Sequence, residues 1–124
     1  MQVAIIGTGY VGLTTAVTLA FLGHKVVAVD TDKEKVESLK RGSLPLFEPH
    51  LAELLYLARG NLSFTHLYEE AVPQAEVVFI AVGTPPGPDG SPDLSQVRLA
   101  ADGIGRHLGE GYTVVVNKST VPVG

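Results

Sequence analysis

Short apolar runs alternate along this chain with longer stretches in which apolar residues recur at helical spacing. Val3–Ile6, Lys25–Asp30, Leu62–Thr65, Val77–Val82 and Thr113–Asn117 read as strands. Most are continuous in Val, Ile and Ala, the pattern of parallel strands buried on both faces. The intervening stretches predict helices. The first begins near Tyr10 and ends at Gly23, a glycine suited to the C′ position. A charged, amphipathic helix covers Asp32–Arg41 and stops at Gly42. A third runs about Pro49–Ala58, with Leu51, Leu54, Leu55 and Ala58 at helical spacing before Gly60. A short helical turn at Tyr68–Val72 is limited by Pro73. The last helix is expected to open near Ser91-Pro92-Asp93, because proline suits a first helical turn, and to close at Gly109. Strands that alternate with helices predict an α/β protein, a doubly wound parallel sheet in three layers, α/β/α, with about five strands.

Gly83–Asp93 breaks this rhythm. It reads GTPPGPDGSPD, four prolines and three glycines in eleven positions, and so predicts a mobile loop. The loop leaves the carboxyl end of the fourth strand, the edge at which open α/β sheets place ligands.

Composition narrows the classes. With 45% hydrophobic and 18% charged residues in 124, the chain suits one globular domain. The net charge of −4 comes without a basic cluster, so neither a nucleic acid nor an anionic membrane is expected as a partner. No cysteine is present, which excludes disulfides, thiolate metal sites and cysteine nucleophiles within these residues. His24, His50, His66 and His107 show no close metal-ligand spacing, so surface or loop-end positions are expected for them and no metal is predicted. The chain opens directly on a strand, without the basic and apolar regions of a signal peptide, and a cytoplasmic location is expected.

Gly7-Thr8-Gly9-Tyr10-Val11-Gly12 carries the strongest chemical signal. A G-x-G-x-x-G pattern alone is weak, but here it lies between a buried strand and a helix, as its mechanism requires. Gly7 makes the tight turn, Gly9 lets the backbone approach a pyrophosphate, and Gly12 lets the helix lie close to the strand. The helix N-terminus then offers N–H groups and partial positive charge to an anion. Asp30 closes the second strand, eighteen positions after Gly12. In a Rossmann-type topology that point lies beside the adenosine ribose, where a carboxylate can accept from both hydroxyls and repel a 2′-phosphate. NAD is therefore expected over NADP. Lys35 either pairs with Asp30 at the ribose edge or is a solvated charge on an exposed helix.

Several segments resemble the UDP-glucose/GDP-mannose dehydrogenase family: GTGYVGL (Gly7–Leu13), Asp30 followed by Lys35, GSLPLFEPHL (Gly42–Leu51), FIAVGTP (Phe79–Pro85) and KSTVPVG (Lys118–Gly124). They extend from end to end, and AVGTP and KSTVPVG are more specific than the glycine turn. The resemblance implies that Gly7, Thr8, Gly9, Tyr10, Val11 and Gly12 hold the pyrophosphate and that Asp30 holds the ribose, with Lys35 close by. It implies that Val82, Gly83, Thr84 and Pro85 pass along the cofactor. It further implies that Ser119 and Thr120 approach the nicotinamide side and that Thr120 helps order water near the reacting centre. Hydroxyls at Thr84 and Thr120 also suit ordinary turn capping. Glu48-Pro49 makes a good helix opening and receives no catalytic role.

The family resembled here oxidises the primary alcohol of a sugar nucleotide to a carboxylate in two NAD-dependent steps, with an active-site cysteine trapping the aldehyde. That cysteine, its partners and the sugar pocket lie downstream of KSTVPVG in the family. A complete dinucleotide fold has six strands in the order 3-2-1-4-5-6, so five leave an apolar edge. Residues 1–124 are therefore expected to be an NAD-binding domain, the amino-terminal fragment of a longer, homo-oligomeric enzyme, and inactive alone. UDP-glucose is the first substrate expected; GDP-mannose and UDP-N-acetylmannosamine are alternatives within the family. An NAD-sensing module without chemistry, or another Rossmann oxidoreductase such as a hydroxyacid dehydrogenase, explains the glycine turn but not GTP and KSTVPVG together.

Overall fold

A computed structural model describes residues 1–44 and 49–118. Five strands form one parallel sheet: β1 (Gln2–Ile6), β2 (Lys25–Val29), β3 (Leu62–Thr65), β4 (Val77–Ile80) and β5 (Val114–Asn117), in the order β3-β2-β1-β4-β5. The doubly wound arrangement expected from the alternating pattern is present. β1 lies at the centre, with Val3 opposite Val26 on one side and Val77 on the other.

The continuous apolar runs follow from this central position. Successive side chains of a strand point to opposite faces. Val3 and Ile5 enter one core with Leu13, Ala16, Val17 and Ala20 of α1 (Tyr10–Phe21), Val36 and Leu39 of α2 (Lys33–Lys40), and Leu51, Leu55 and Ala58 of α3 (Pro49–Ala58). Ala4 and Ile6 enter the second core with Val29, Val72, Val78 and Ile80, together with Ala100 and Ile104 of α4 (Ser95–His107). A strand with a core on each face has no polar side to show.

Two expectations shift. The turn after β3 is a short 3₁₀ helix, Tyr68–Glu70. α4 opens at Ser95, not near Ser91–Asp93. Residues 86–92 instead close on themselves: Pro86 bridges Pro92 antiparallel, Gly87 N–H donates to the Ser91 carbonyl at 2.6 Å and Asp93 N–H to the Pro85 carbonyl at 2.7 Å. Asp93 then uses its side chain to accept from Ser95 N–H at 2.9 Å, which holds the start of the helix two residues later.

Candidate functional site

The carboxyl ends of β1, β2 and β4 surround a cavity of about 440 Å³ lined by Gly7, Thr8, Gly9, Asp30, Lys35 and Gly83, with Tyr68, Gln96, Leu99 and Ala100 opposite. A smaller adjoining cavity, about 190 Å³, takes in Tyr10, Val11 and Thr84 beside Gly9, Val82, Gly83 and Lys118. Segments far apart in sequence thus meet in one crevice at the sheet edge, as the topology requires. A larger cavity of about 630 Å³ lies between α2, α3 and β3 and touches none of the expected site residues.

The β1–α1 turn is built on two glycines with distinct reasons. Gly7 has φ +105°, and a Cβ there would also meet the Ala81 carbonyl oxygen at 2.5 Å. A Cβ on Gly12 would strike the carbonyl of Gly7 and come against Ala81. Gly12 thus sits beneath the turn, where its lack of a side chain lets α1 start close to the sheet. Gly9, the N-cap, is different: a Cβ there would meet nothing within 4 Å, so the space over it is open. No side chain caps this helix, and among the described residues the amides of Gly9, Tyr10, Val11 and Gly12 have no hydrogen-bond acceptor. Open N–H groups at a helix start, with free space above and no Cβ in the way, suit a bound phosphate group.

Thr8 behaves differently from its neighbours. Its side chain is buried, 1% exposed, and its hydroxyl donates to Asp30 Oδ2 at 2.5 Å. Thr8 N–H donates to the same oxygen at 3.2 Å. Asp32 N–H donates to Asp30 Oδ1 at 3.0 Å, and Lys35 Nζ lies 3.6 Å from Oδ2. A carboxylate has about four acceptor positions. Three are filled, two on Oδ2 and one on Oδ1, which leaves Oδ1 open to a further donor. Burial pushes the Asp30 pKa upward and is the largest single influence. The Thr8 hydroxyl, the Asp32 amide, Lys35 and the Thr8 amide together outweigh it and hold the carboxyl below its ordinary 3.8. Lys35 is placed by α2, whose N-cap Asp32 accepts from Glu34 N–H and Lys35 N–H. Of the two roles open to Lys35, the structure places it against Asp30.

Sequence reading missed the opposite wall. Tyr68 follows β3 in the 3₁₀ turn, and its ring packs where a Cβ on Gly103 of α4 would stand. His107 stacks on it with ring centroids 6.1 Å apart and binds back to the Gly103 carbonyl through Nδ1 at 2.8 Å. His107 thus holds the loop-end position expected for it, as the last residue of α4, and packs against the back of Tyr68. Burial first, and the Asp30 charge second, push the Tyr68 phenol above its ordinary 10.0, so it remains a neutral hydroxyl. No local motif announces Tyr68 or Gln96; only the pairing of a glycine on one helix with an aromatic ring elsewhere marks the contact.

Pro85 lines neither cavity; its carbonyl closes the 85–93 loop. Ser119, Thr120 and Glu48 lie outside the described residues. No helix among the described residues is long and apolar enough to cross a membrane.

The family model described as UDP-glucose/GDP-mannose dehydrogenase family, NAD binding domain, matches residues 1–124. The chain belongs to this family. A UDP-glucose 6-dehydrogenase of Bacillus subtilis is 48% identical over 126 residues, covering all of this chain and 28% of the relative. The structure of a UDP-glucose dehydrogenase from Pyrobaculum islandicum superposes with a TM-score of 0.93 at 46% identity, over 99% of this chain and 29% of that one. GDP-mannose dehydrogenase from Pseudomonas aeruginosa gives 0.92 at 38% identity, over 98% and 29%. The chain thus spans somewhat more than a quarter of the relatives' length, and within the family it corresponds to the NAD-binding region. The five-stranded α/β architecture is that of these dehydrogenases, and the cofactor of the family domain is NAD.

Proposed function

We propose that this chain is the amino-terminal, cofactor-holding domain of a UDP-glucose 6-dehydrogenase. The observation that carries the sugar class is the higher identity to UDP-glucose dehydrogenases than to the GDP-mannose enzyme. The reaction of the whole protein would convert UDP-glucose, two NAD⁺ and water to UDP-glucuronate, two NADH and three protons. Its aldehyde stage would be held on a cysteine outside these residues. NAD, when bound, accepts the hydride taken from the sugar carbon.

The residues of this chain bind and orient. The open amides from Gly9 to Gly12 would receive the pyrophosphate, where helix-end charge and free N–H groups favour an anion. Asp30 Oδ1 would accept from the adenosine ribose, with Lys35 beside it, and the carboxylate would repel a 2′-phosphate. Tyr68, Leu99 and Ala100 would form the wall of the adenosine side. Val82, Gly83, Thr84 and Pro85 would follow the cofactor, and Ser119 and Thr120 would lie toward the nicotinamide, with Thr120 ordering water. The whole enzyme would be cytoplasmic, where a soluble sugar nucleotide and NAD both reach it, and the family resemblance supports a homo-oligomer.

The test is turnover of the natural-length protein against UDP-glucose, GDP-mannose and UDP-N-acetylmannosamine, followed by NADH absorbance. UDP-glucose should give the highest kcat/KM and two NADH per sugar. A clear preference for another sugar nucleotide would overturn the substrate assignment and leave the cofactor site untouched.

A further inference from the structure

We propose that Thr8 is a positioning residue for cofactor recognition, whose buried hydroxyl sets the Asp30 carboxylate in the orientation that meets the ribose 2′-hydroxyl. This inference rests on the NAD reading of the crevice and adds to it the device that aims the acid. Thr8 stands between two glycines of the phosphate turn, yet its side chain turns away from solvent and reaches the end of β2, at 2.5 Å from Asp30 Oδ2. Threonine is branched at Cβ and restricted at χ1, so its hydroxyl is preset where a longer polar side chain would wander. With Oδ2 filled by the Thr8 hydroxyl and amide, and Oδ1 fixed by the Asp32 amide at 3.0 Å, the carboxylate plane is defined before any ligand arrives. The charged groups around it do not define it in the same way. Lys35 lies 3.6 Å from Oδ2, a contact of charge more than of hydrogen-bond geometry, and Tyr68 faces the same cavity from the 3₁₀ turn. Loss of the hydroxyl frees Oδ2 to turn toward Lys35, which carries the open acceptor of Oδ1 away from the ribose.

The hydroxyl is separable from the fold. Thr8→Val keeps the shape and the backbone N–H tie to Asp30 and removes only the side-chain donor. The experiment titrates NAD and its adenosine 2′-deoxy analogue by calorimetry into the natural-length protein, as wild type, Thr8→Val and Thr8→Ser, with thermal unfolding measured alongside. The wild type should prefer NAD over the deoxy analogue by about tenfold or more, as a hydrogen bond to a charged acceptor does. Thr8→Val should shrink that ratio to within about threefold, and Thr8→Ser should restore most of it. A merely structural role would weaken both ligands alike and leave the ratio unchanged; that result overturns the inference. If Thr8→Val does not fold, Thr8→Ala is read by the same ratio. A wild type that binds no NAD would instead overturn the reading of the crevice itself, and the two failures cannot be confused.

Discussion

At Asp30 the side chain is engaged by the protein before it meets a ligand, so its removal acts on binding and on folding together. Asp30→Ala should weaken NAD by about 1.5–3 kcal/mol, the range for hydrogen bonds to a charged group, as read by calorimetry. It should also lower the unfolding midpoint, because the buried Thr8 hydroxyl loses its acceptor. The sign of the pH effect follows from the lowered pKa. A carboxyl held below 3.8 contributes stability that is fully present above that value and is lost as pH falls through the folded-state value. As pH falls from about 5 through and below the ordinary carboxylate range, the wild type should therefore lose thermal stability more steeply than Asp30→Asn; parallel profiles would deny Asp30 this role. Gly12 offers a purely steric test. Gly12→Ala places a methyl group against the Gly7 carbonyl and should cost about 1–3 kcal/mol or more in urea unfolding. The glycine pattern and the acid were legible in the sequence because each obeys a local rule. The Thr8–Asp30 bond was not, because nothing in the local spacing tells a buried hydroxyl from one facing solvent.

The elements follow their local signals closely, and their exceptions have physical causes. α2 begins where Asp32 accepts from Glu34 N–H at 3.1 Å and from Lys35 N–H at 3.2 Å. Asp32→Ala should cost about 1 kcal/mol in the urea midpoint, and Asp32→Ser much less, since serine is also a good N-cap. The same cap orients the helix that carries Lys35 to Asp30, so Asp32→Ala should weaken NAD slightly as well. α4 shows the limit of reading proline as a helix opener. Ser91-Pro92-Asp93 fits that rule, but Pro92 is drawn into a bridge with Pro86. The helix waits for Asp93 to supply an acceptor for Ser95 N–H. A local preference of proline gave way to a pairing with residues on the far side of a turn.

For the whole molecule, the crevice exists because β1, β2 and β4 end together. The turn after β1, the acid after β2 and the 82–84 segment after β4 then share one edge. A ligand that binds only the folded state stabilises it by mass action. At a hundred times its Kd, NAD should add about 2.7 kcal/mol to the stability of the natural-length protein, seen as a raised thermal midpoint. NADP at the same concentration should raise it less, since its 2′-phosphate faces the Asp30 charge. Equal shifts would remove Asp30 as the discriminator.

The amino-acid order alone determined the alternation of strands and helices, the doubly wound class, the glycine turn and the acid eighteen residues beyond it. Periodicity, backbone freedom and residue chemistry act over a few positions, and these features need nothing more. The packed fold decided what depends on distant partners. It set how many acceptor positions of Asp30 remain open, against which carbonyl Gly12 must lie, and why Tyr68 shares a cavity with the acid. Those outcomes come from contacts between segments dozens of residues apart, which only the closed sheet and its covering helices bring within reach of one another.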